Sequence, residues 1–164
     1  MKNVIVIMGV SGCGKTTVGE LLSKKLNIPF YDGDNFHPKE NIEKMKNNIP
    51  LNDNDRLPWL EKLSKNITSW KKNEGAILAC SALKESYRKI LKLDKNMDYW
   101  VILNGDYQLI YDRISSRKNH FMNSDLLKSQ IETLEVPNYG LHINVSMSLP
   151  EIVNTITQNI KTNA

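Results

Sequence analysis

Gly9-Val-Ser-Gly-Cys-Gly-Lys-Thr16 reads G-x-x-x-x-G-K-T, the pattern of a phosphate-binding loop. Its flanks are what the pattern requires. Asn3-Val-Ile-Val-Ile-Met8 is a short apolar run suited to a buried parallel strand. After the loop, Val18, Leu21, Leu22 and Leu26 recur at helical spacing. Strand, glycine loop and helix in that order predict a nucleotide site. Gly9, Gly12 and Gly14 let the backbone curl so that the N–H groups of Val10, Ser11, Cys13 and their neighbours face phosphate oxygens. The helix N-terminus, with Thr16 and Thr17, adds its dipole to that attraction. Lys15 is expected to reach the β- and γ-phosphates of ATP, and the Thr16 hydroxyl to bind Mg²⁺.

The composition is that of a globular protein, with 164 residues, 40% hydrophobic and 24% charged. The net charge of +4 suits an anionic ligand better than it argues for a nucleic-acid surface. The opening apolar run is too short for a membrane span or a signal peptide, so a soluble protein with no membrane partner is expected. Cys13 and Cys80 are the two cysteines, without metal-ligand spacing, and a reducing cytoplasm is the expected setting. Cys13 stands beside Lys15 at a helix N-terminus, where a thiolate is favoured; the other reading, an inert filler of the loop, is slightly preferred.

Further along, Phe30-Tyr-Asp32 forms a second strand, and Asp32-Gly-Asp34 leaves its carboxyl end. Alternation along extended backbone would point both carboxylates at one spot, one near the metal and one to take a proton. Pro38 starts a helix with Ile42 and Met45 inside. A polar turn at 50–55 follows, and Asp55 is expected to cap a helix that starts at Arg56 and carries Leu60, Leu63, Ile67 and Trp70 on one face, with Pro58 in its first turn. Arg56 reads either as an anion clamp or as a surface arginine paired with Asp53 or Asp55.

The third strand, Ala76–Cys80, runs into Ser81 with no terminal aspartate. Lys84 and Arg88 share a helical face behind it, as substrate cations or as a solvated basic face. Tyr99–Leu103 and Leu141–Val145 read as the fourth and fifth strands. Between them, Arg113 and Arg117 lie four apart near a polar stretch, as a lid closing on ATP or as cations at a helix C-terminus. Strands alternating with helices predict a three-layer α/β sandwich on a parallel sheet, one domain, with a substrate flap at about 37–73 and a lid at about 118–125.

Several further stretches are specific. Asp32-Gly-Asp34, His37-Pro38, Asn41-Ile-Glu-Lys-Met45, Pro50-Leu-Asn-Asp-Asn-Asp-Arg56, Pro58-Trp-Leu60, Cys80-Ser-Ala-Leu-Lys84 and Gln130-Ile-Glu-Thr-Leu-Glu135, together with the loop, closely resemble the gluconokinase family over nearly the whole chain. The resemblance implies phosphorylation of D-gluconate on its 6-hydroxyl by ATP with Mg²⁺. It also implies the fold of nucleoside monophosphate and shikimate kinases, with strand order 2-3-1-4-5, and a homodimer, since members are often dimers. By resemblance Lys15 and Thr16 hold phosphates and metal, Asp34 is the base, and Asp32 is an outer-shell magnesium group. Arg56, Lys84 and His120 fall on the substrate side, where Ser81 and Arg88 are also placed. Arg113 and Arg117 are lid residues toward adenine and the γ-phosphate. Asn144, Met147 and Ser148 depart from the pattern expected near adenine. A shikimate kinase would show glycines at Ser81 and Ala82, and a nucleotide kinase would have a longer arginine-bearing flap. A GTPase switch would carry Asn-Lys-x-Asp, which Asp94-Lys-Asn-Met-Asp98 does not match.

Overall fold

The apolar runs become the strands of one sheet because each can bury both faces under helices. In the computed structural model, which describes residues 2–117 and 124–162, β1 (Val4–Met8) is buried along its whole length. It pairs in parallel with β3 (Ala76–Ala79) on one side and β4 (Tyr99–Asn104) on the other. Outside these lie β2 (Phe30–Asp32) and β5 (Leu141–Asn144), giving the order β2-β3-β1-β4-β5. All pairings are parallel, so the carboxyl ends share one edge, with Met8 opposite Ile102 and Asp32 opposite Ala79. The sheet order is the one that the family resemblance implied.

Right-handed crossovers then decide which helix covers which face. The chain steps from β1 to β2 through α1 (Lys15–Leu26), and α7 (Leu149–Thr162) returns to pack beside it. The steps toward β3, β4 and β5 run through α3 (Asp53–Lys72), α4 (Glu85–Leu91), and α5 (Tyr107–Ser115) with α6 (Ser124–Thr133), and α3 packs on α4. Helix α2 (Lys39–Lys46) stands between β2 and α3.

Three local expectations are corrected. Leu21 is exposed, and the place beside the sheet goes to Gly19, whose missing side chain lets the Phe30 ring approach. Helix α3 starts at Asp53, not Arg56: Asn52 accepts from the Asp55 N–H at 2.8 Å while Asp55 accepts from the Asn52 N–H at 3.0 Å. This reciprocal capping box moves the start three residues forward and leaves Pro58 inside the helix. The excursion expected over 37–73 also divides. Leu60, Leu63 and Ile67 of α3 are fully buried in the main core, so that helix is a layer of the sandwich, while Met45 of α2 packs in a separate small cluster with Ile42, Leu51 and Leu126.

Candidate active site

The loop between β1 and α1 closes on itself through backbone geometry. Gly12 has φ +80°, and a Cβ there would come within 2.4 Å of Ile114 Cγ1, so only glycine lets α5 rest against the loop. Gly14, at φ 98°, caps α1 without a side chain, leaving the helix N-terminus open. Lys15 lies across the loop, its Nζ donating to the carbonyls of Gly9 and Val10 at 3.0 Å each. Thr16 and Thr17 are exposed on the first turn of α1. Cys13 is buried at 1% exposure, which closes it to reagents and supports its reading as filler. Cys80, at the end of β3, is also buried and free, and burial pushes its thiol up to about 12.

The two aspartates reach the site by a route other than strand alternation. Past Asp32 the chain tightens into a 3₁₀ turn, Gly33–Phe36. One Asp32 oxygen accepts from the Asp34 N–H at 3.0 Å and caps this turn; the other accepts from the Thr16 hydroxyl at 2.9 Å. A Thr hydroxyl backed by a carboxylate at the mouth of a phosphate loop fits Mg²⁺, which keeps its own waters and takes only a few protein oxygens. No cluster of three or more His, Cys, Asp or Glu that could hold a metal occurs among the described residues. The Asp34 side chain is 45% exposed, with Oδ1 3.9 Å from His37 Nε2.

Asp34 lines a cavity open to solvent, together with Ser11 and Lys15 of the loop. The other walls are His37, Met45, Leu51, Arg56 and Trp59 from the flap side, Ser81 after β3, and Leu126, Ser129 and Gln130 of α6. Met45 and Leu126 touch through a small apolar cluster with Ile42 and Leu51, so α2 and α6 meet over the sheet edge. Gln130 accepts from the Ser11 N–H at 2.8 Å and ties α6 to the phosphate loop. Arg56 is only 8% exposed, and its Nη1 donates to the Leu51 carbonyl at 2.6 Å and the Tyr87 hydroxyl at 3.2 Å. One nitrogen is thereby anchored, and the guanidinium belongs to the cavity wall rather than to Asp53 or Asp55. Those carboxylates have other partners: Asp55 takes Lys44 at 2.8 Å and Asp53 takes Lys84 at 3.0 Å.

His37 is a titratable group strongly altered by this site. Its side chain is 5% exposed and stacked on Trp59. Burial, and then the Arg56 charge, lower its pKa from the ordinary 6.5 to about 4, against a smaller opposing pull from Asp32. The folded protein thus resists a proton that the unfolded chain accepts. Stability is expected to be undiminished by this group above pH 6.5 and to fall as pH drops from there toward 4, with a full loss of roughly 3 kcal/mol. Urea midpoints of the wild type and His37→Phe between pH 7.5 and 4.5 check this. The wild-type midpoint should drop relative to the variant's, and parallel curves would contradict it.

The structure therefore brings the loop, Asp32, Asp34, Arg56 and Ser81 to one end of the sheet. It does not bring Lys84 or Arg88 to the cavity. Lys84 forms its ion pair with Asp53 outside it. Arg88 is buried, with Nη1 on the carbonyls of Ala82 and Leu83, Nη2 on that of Glu135, and Nε on Glu85 and Tyr139. This is a buried brace between α4 and the chain before β5, and the earlier placement of Arg88 on the substrate side is corrected accordingly. Arg113 sits under the chain after β5, donating to the Val145 carbonyl at 2.9 Å, and Arg117 is exposed just beyond α5. His120 and all but the end of the lid expected at 118–125 lie outside the described residues. His37, Trp59 and Gln130 were in quoted motifs but had no role; the His37–Asn41 spacing was the one local signal for the first.

Comparison with known proteins agrees with this geometry. The shikimate kinase family model matches residues 11–161. A probable gluconokinase of Dictyostelium discoideum is 43% identical over 98% of this chain and 87% of that protein. The thermosensitive gluconokinase of Escherichia coli K12 is 41% identical over 95% of this chain and 84% of its own length. The crystal structure of a gluconokinase from Sinorhizobium meliloti 1021 superposes with a TM-score of 0.83 at 38% identity, covering 99% of this chain and 97% of that one.

Proposed function

The chain belongs to the gluconokinase family, and we propose that it transfers the γ-phosphoryl group of ATP to the 6-hydroxyl of D-gluconate, giving 6-phospho-D-gluconate and ADP. The observation that carries this reading is the cavity in which Lys15 and Ser11 of the phosphate loop, Asp34 and Arg56 face one space. It offers a donor side, a base and a cation for a carboxylate.

The roles follow from position. The loop from Gly9 to Thr17 cradles the phosphates with backbone N–H groups and the α1 dipole. Lys15 offsets charge on the group in transfer. Thr16 and Asp32 fit the magnesium ion that such kinases carry with ATP, and the chemistry it supplies when bound is charge neutralisation on the phosphates. Asp34 accepts the hydroxyl proton. Arg113, beside Val145 at the end of β5, belongs to the nucleobase side, and Arg117 to the γ-phosphate when the lid closes. Arg56 holds the sugar-acid carboxylate: Nη1 is anchored by Leu51 and Tyr87, so the rest of the fork is presented without loss of rotamer freedom. Ser81 completes the acceptor side and, if the lid brings it in, so does His120. Among the described residues no helix is long and apolar enough to cross a membrane, and the buried free cysteines suit the cytoplasm. A homodimer, and a single domain with flap and lid, remain part of this proposal.

Arg56→Lys keeps the charge and loses the fork. The gluconate KM should rise about tenfold or more, the worth of a charged hydrogen bond, with the ATP KM unchanged. A wild-type gluconate KM would remove Arg56 from the clamp. The regiochemistry is tested by phosphorus–carbon coupling in the NMR spectrum of the product, expected at carbon 6; coupling at any other carbon would contradict the assignment.

A further inference from the structure

The roles assigned above leave unused the side chain of His37, which lines the acceptor cavity and is 5% exposed. Its ring lies on the Trp59 indole with centroids 4.2 Å apart and planes inclined by 15°. Trp59 is itself fixed, its Nε1 donating to the Gly33 carbonyl at 2.8 Å. One tryptophan therefore anchors both the turn that presents Asp34 and the imidazole beside it.

The imidazole proton can be placed from its neighbours. Asn41 Nδ2 lies 2.8 Å from the Asp55 carbonyl oxygen. A carbonyl only accepts, so this end of the Asn41 amide is the nitrogen. The same nitrogen is 3.2 Å from His37 Nδ1. An amide nitrogen only donates, so Nδ1 carries a lone pair and the proton of the neutral ring sits on Nε2. The ring is neutral at physiological pH, its pKa being lowered to about 4. Nε2 is 3.9 Å from Asp34 Oδ1, beyond hydrogen-bond reach, and with a neutral ring the two form no ion pair. A donor and an acceptor thus face the same cavity side by side. Hydroxyls on adjacent carbons match them: one donates to Asp34 and its neighbour accepts from His37.

We propose that His37 is a specificity-determining residue for the acceptor, its Nε2–H donating to the hydroxyl on the carbon next to the one phosphorylated, so that the site selects a vicinal diol over an isolated primary alcohol. This rests on gluconate as acceptor and Asp34 as base, and makes the 5-hydroxyl the one that His37 reads. Asn41 is the positioning residue that fixes the tautomer. A site built to hydrogen-bond a hydroxyl discriminates strongly against an analogue lacking it, because its own polar group is left unpaired.

The test compares kcat/KM for D-gluconate and 5-deoxy-D-gluconate in the wild type, His37→Phe and His37→Gln. The wild type should prefer gluconate by about a hundredfold, below the largest known discriminations because the cavity is open to water. His37→Phe keeps the stack on Trp59 and loses the donor. It should lose at least about tenfold on gluconate and little on the deoxy acid, so that the preference collapses. His37→Gln, whose amide N–H reaches the place of Nε2–H, should restore much of the preference. Equal losses on both substrates in His37→Phe, or no preference in the wild type, would overturn the inference. If His37→Phe melts early, His37→Leu is read by the same criterion. Failure of the wild type to phosphorylate gluconate at all is a separate outcome, and overturns the functional assignment beneath the inference.

Discussion

Lys15→Ala should leave a folded protein with turnover reduced by about 10²- to 10³-fold, the cost of removing one preorganised contact, about 3 to 4 kcal/mol, from the transferring group. The reason lies in how the loop holds the lysine. Its Nζ bonds to two carbonyls of the loop itself, Gly9 and Val10. The charge is thus kept over the curl of N–H groups that cradle the phosphates, and little reorganisation is needed for it to act. The same bonds tie Lys15 to no distant element, so its loss should barely move the melting temperature. The check is kcat at saturating ATP and gluconate beside a thermal melt. Wild-type turnover in a folded Lys15→Ala would remove the loop from the chemistry.

Asp34→Asn should remove about 10²- to 10⁴-fold of the turnover, the range for a positioned general base, while ATP still binds. The side chain is placed by backbone and not by strand alternation. Asp32 caps the 3₁₀ turn, and Gly33 brings that turn onto β3, where a Cβ would meet the Ala79 carbonyl at 2.6 Å. Asparagine preserves the shape of this turn and cannot take the proton. ATP affinity by fluorescence or calorimetry, beside kcat, separates the two effects. An Asp34→Asn variant with near-normal kcat would show that the proton leaves by another route.

The glycine loop, its strand and its helix were readable because that motif joins local chemistry to local structure. Strand order came from the resemblance, since nothing in five apolar runs says which lies beside which. Periodicity misplaced Leu21 because a helix packed on a sheet takes its closest approach at Gly19, and a glycine carries no hydropathy signal. Asp55 was read as a cap, correctly as to its chemistry, but the reciprocal bond with Asn52 puts it three residues inside the helix. Charge alone could not rank the cations. Arg56 and Arg88 are both buried, yet one lines the cavity and the other spends its donors on Ala82, Leu83 and Glu135. Only the fold distinguishes a presented guanidinium from a satisfied one. Gln130 on the Ser11 amide spans 119 residues of sequence, and no local pattern announces such a contact.

The most direct measurement is ADP release by the purified protein with ATP, Mg²⁺ and a panel of acids that includes D-gluconate, shikimate and other aldonates. Shikimate is the informative competitor, because the shikimate kinase model spans residues 11–161 while the near relatives are gluconokinases. With Asp34 as the proposed base and Arg56 as the proposed carboxylate clamp, fast, saturable ADP release is expected with gluconate and background release with shikimate. Faster turnover of shikimate than of gluconate would contradict the account at its centre.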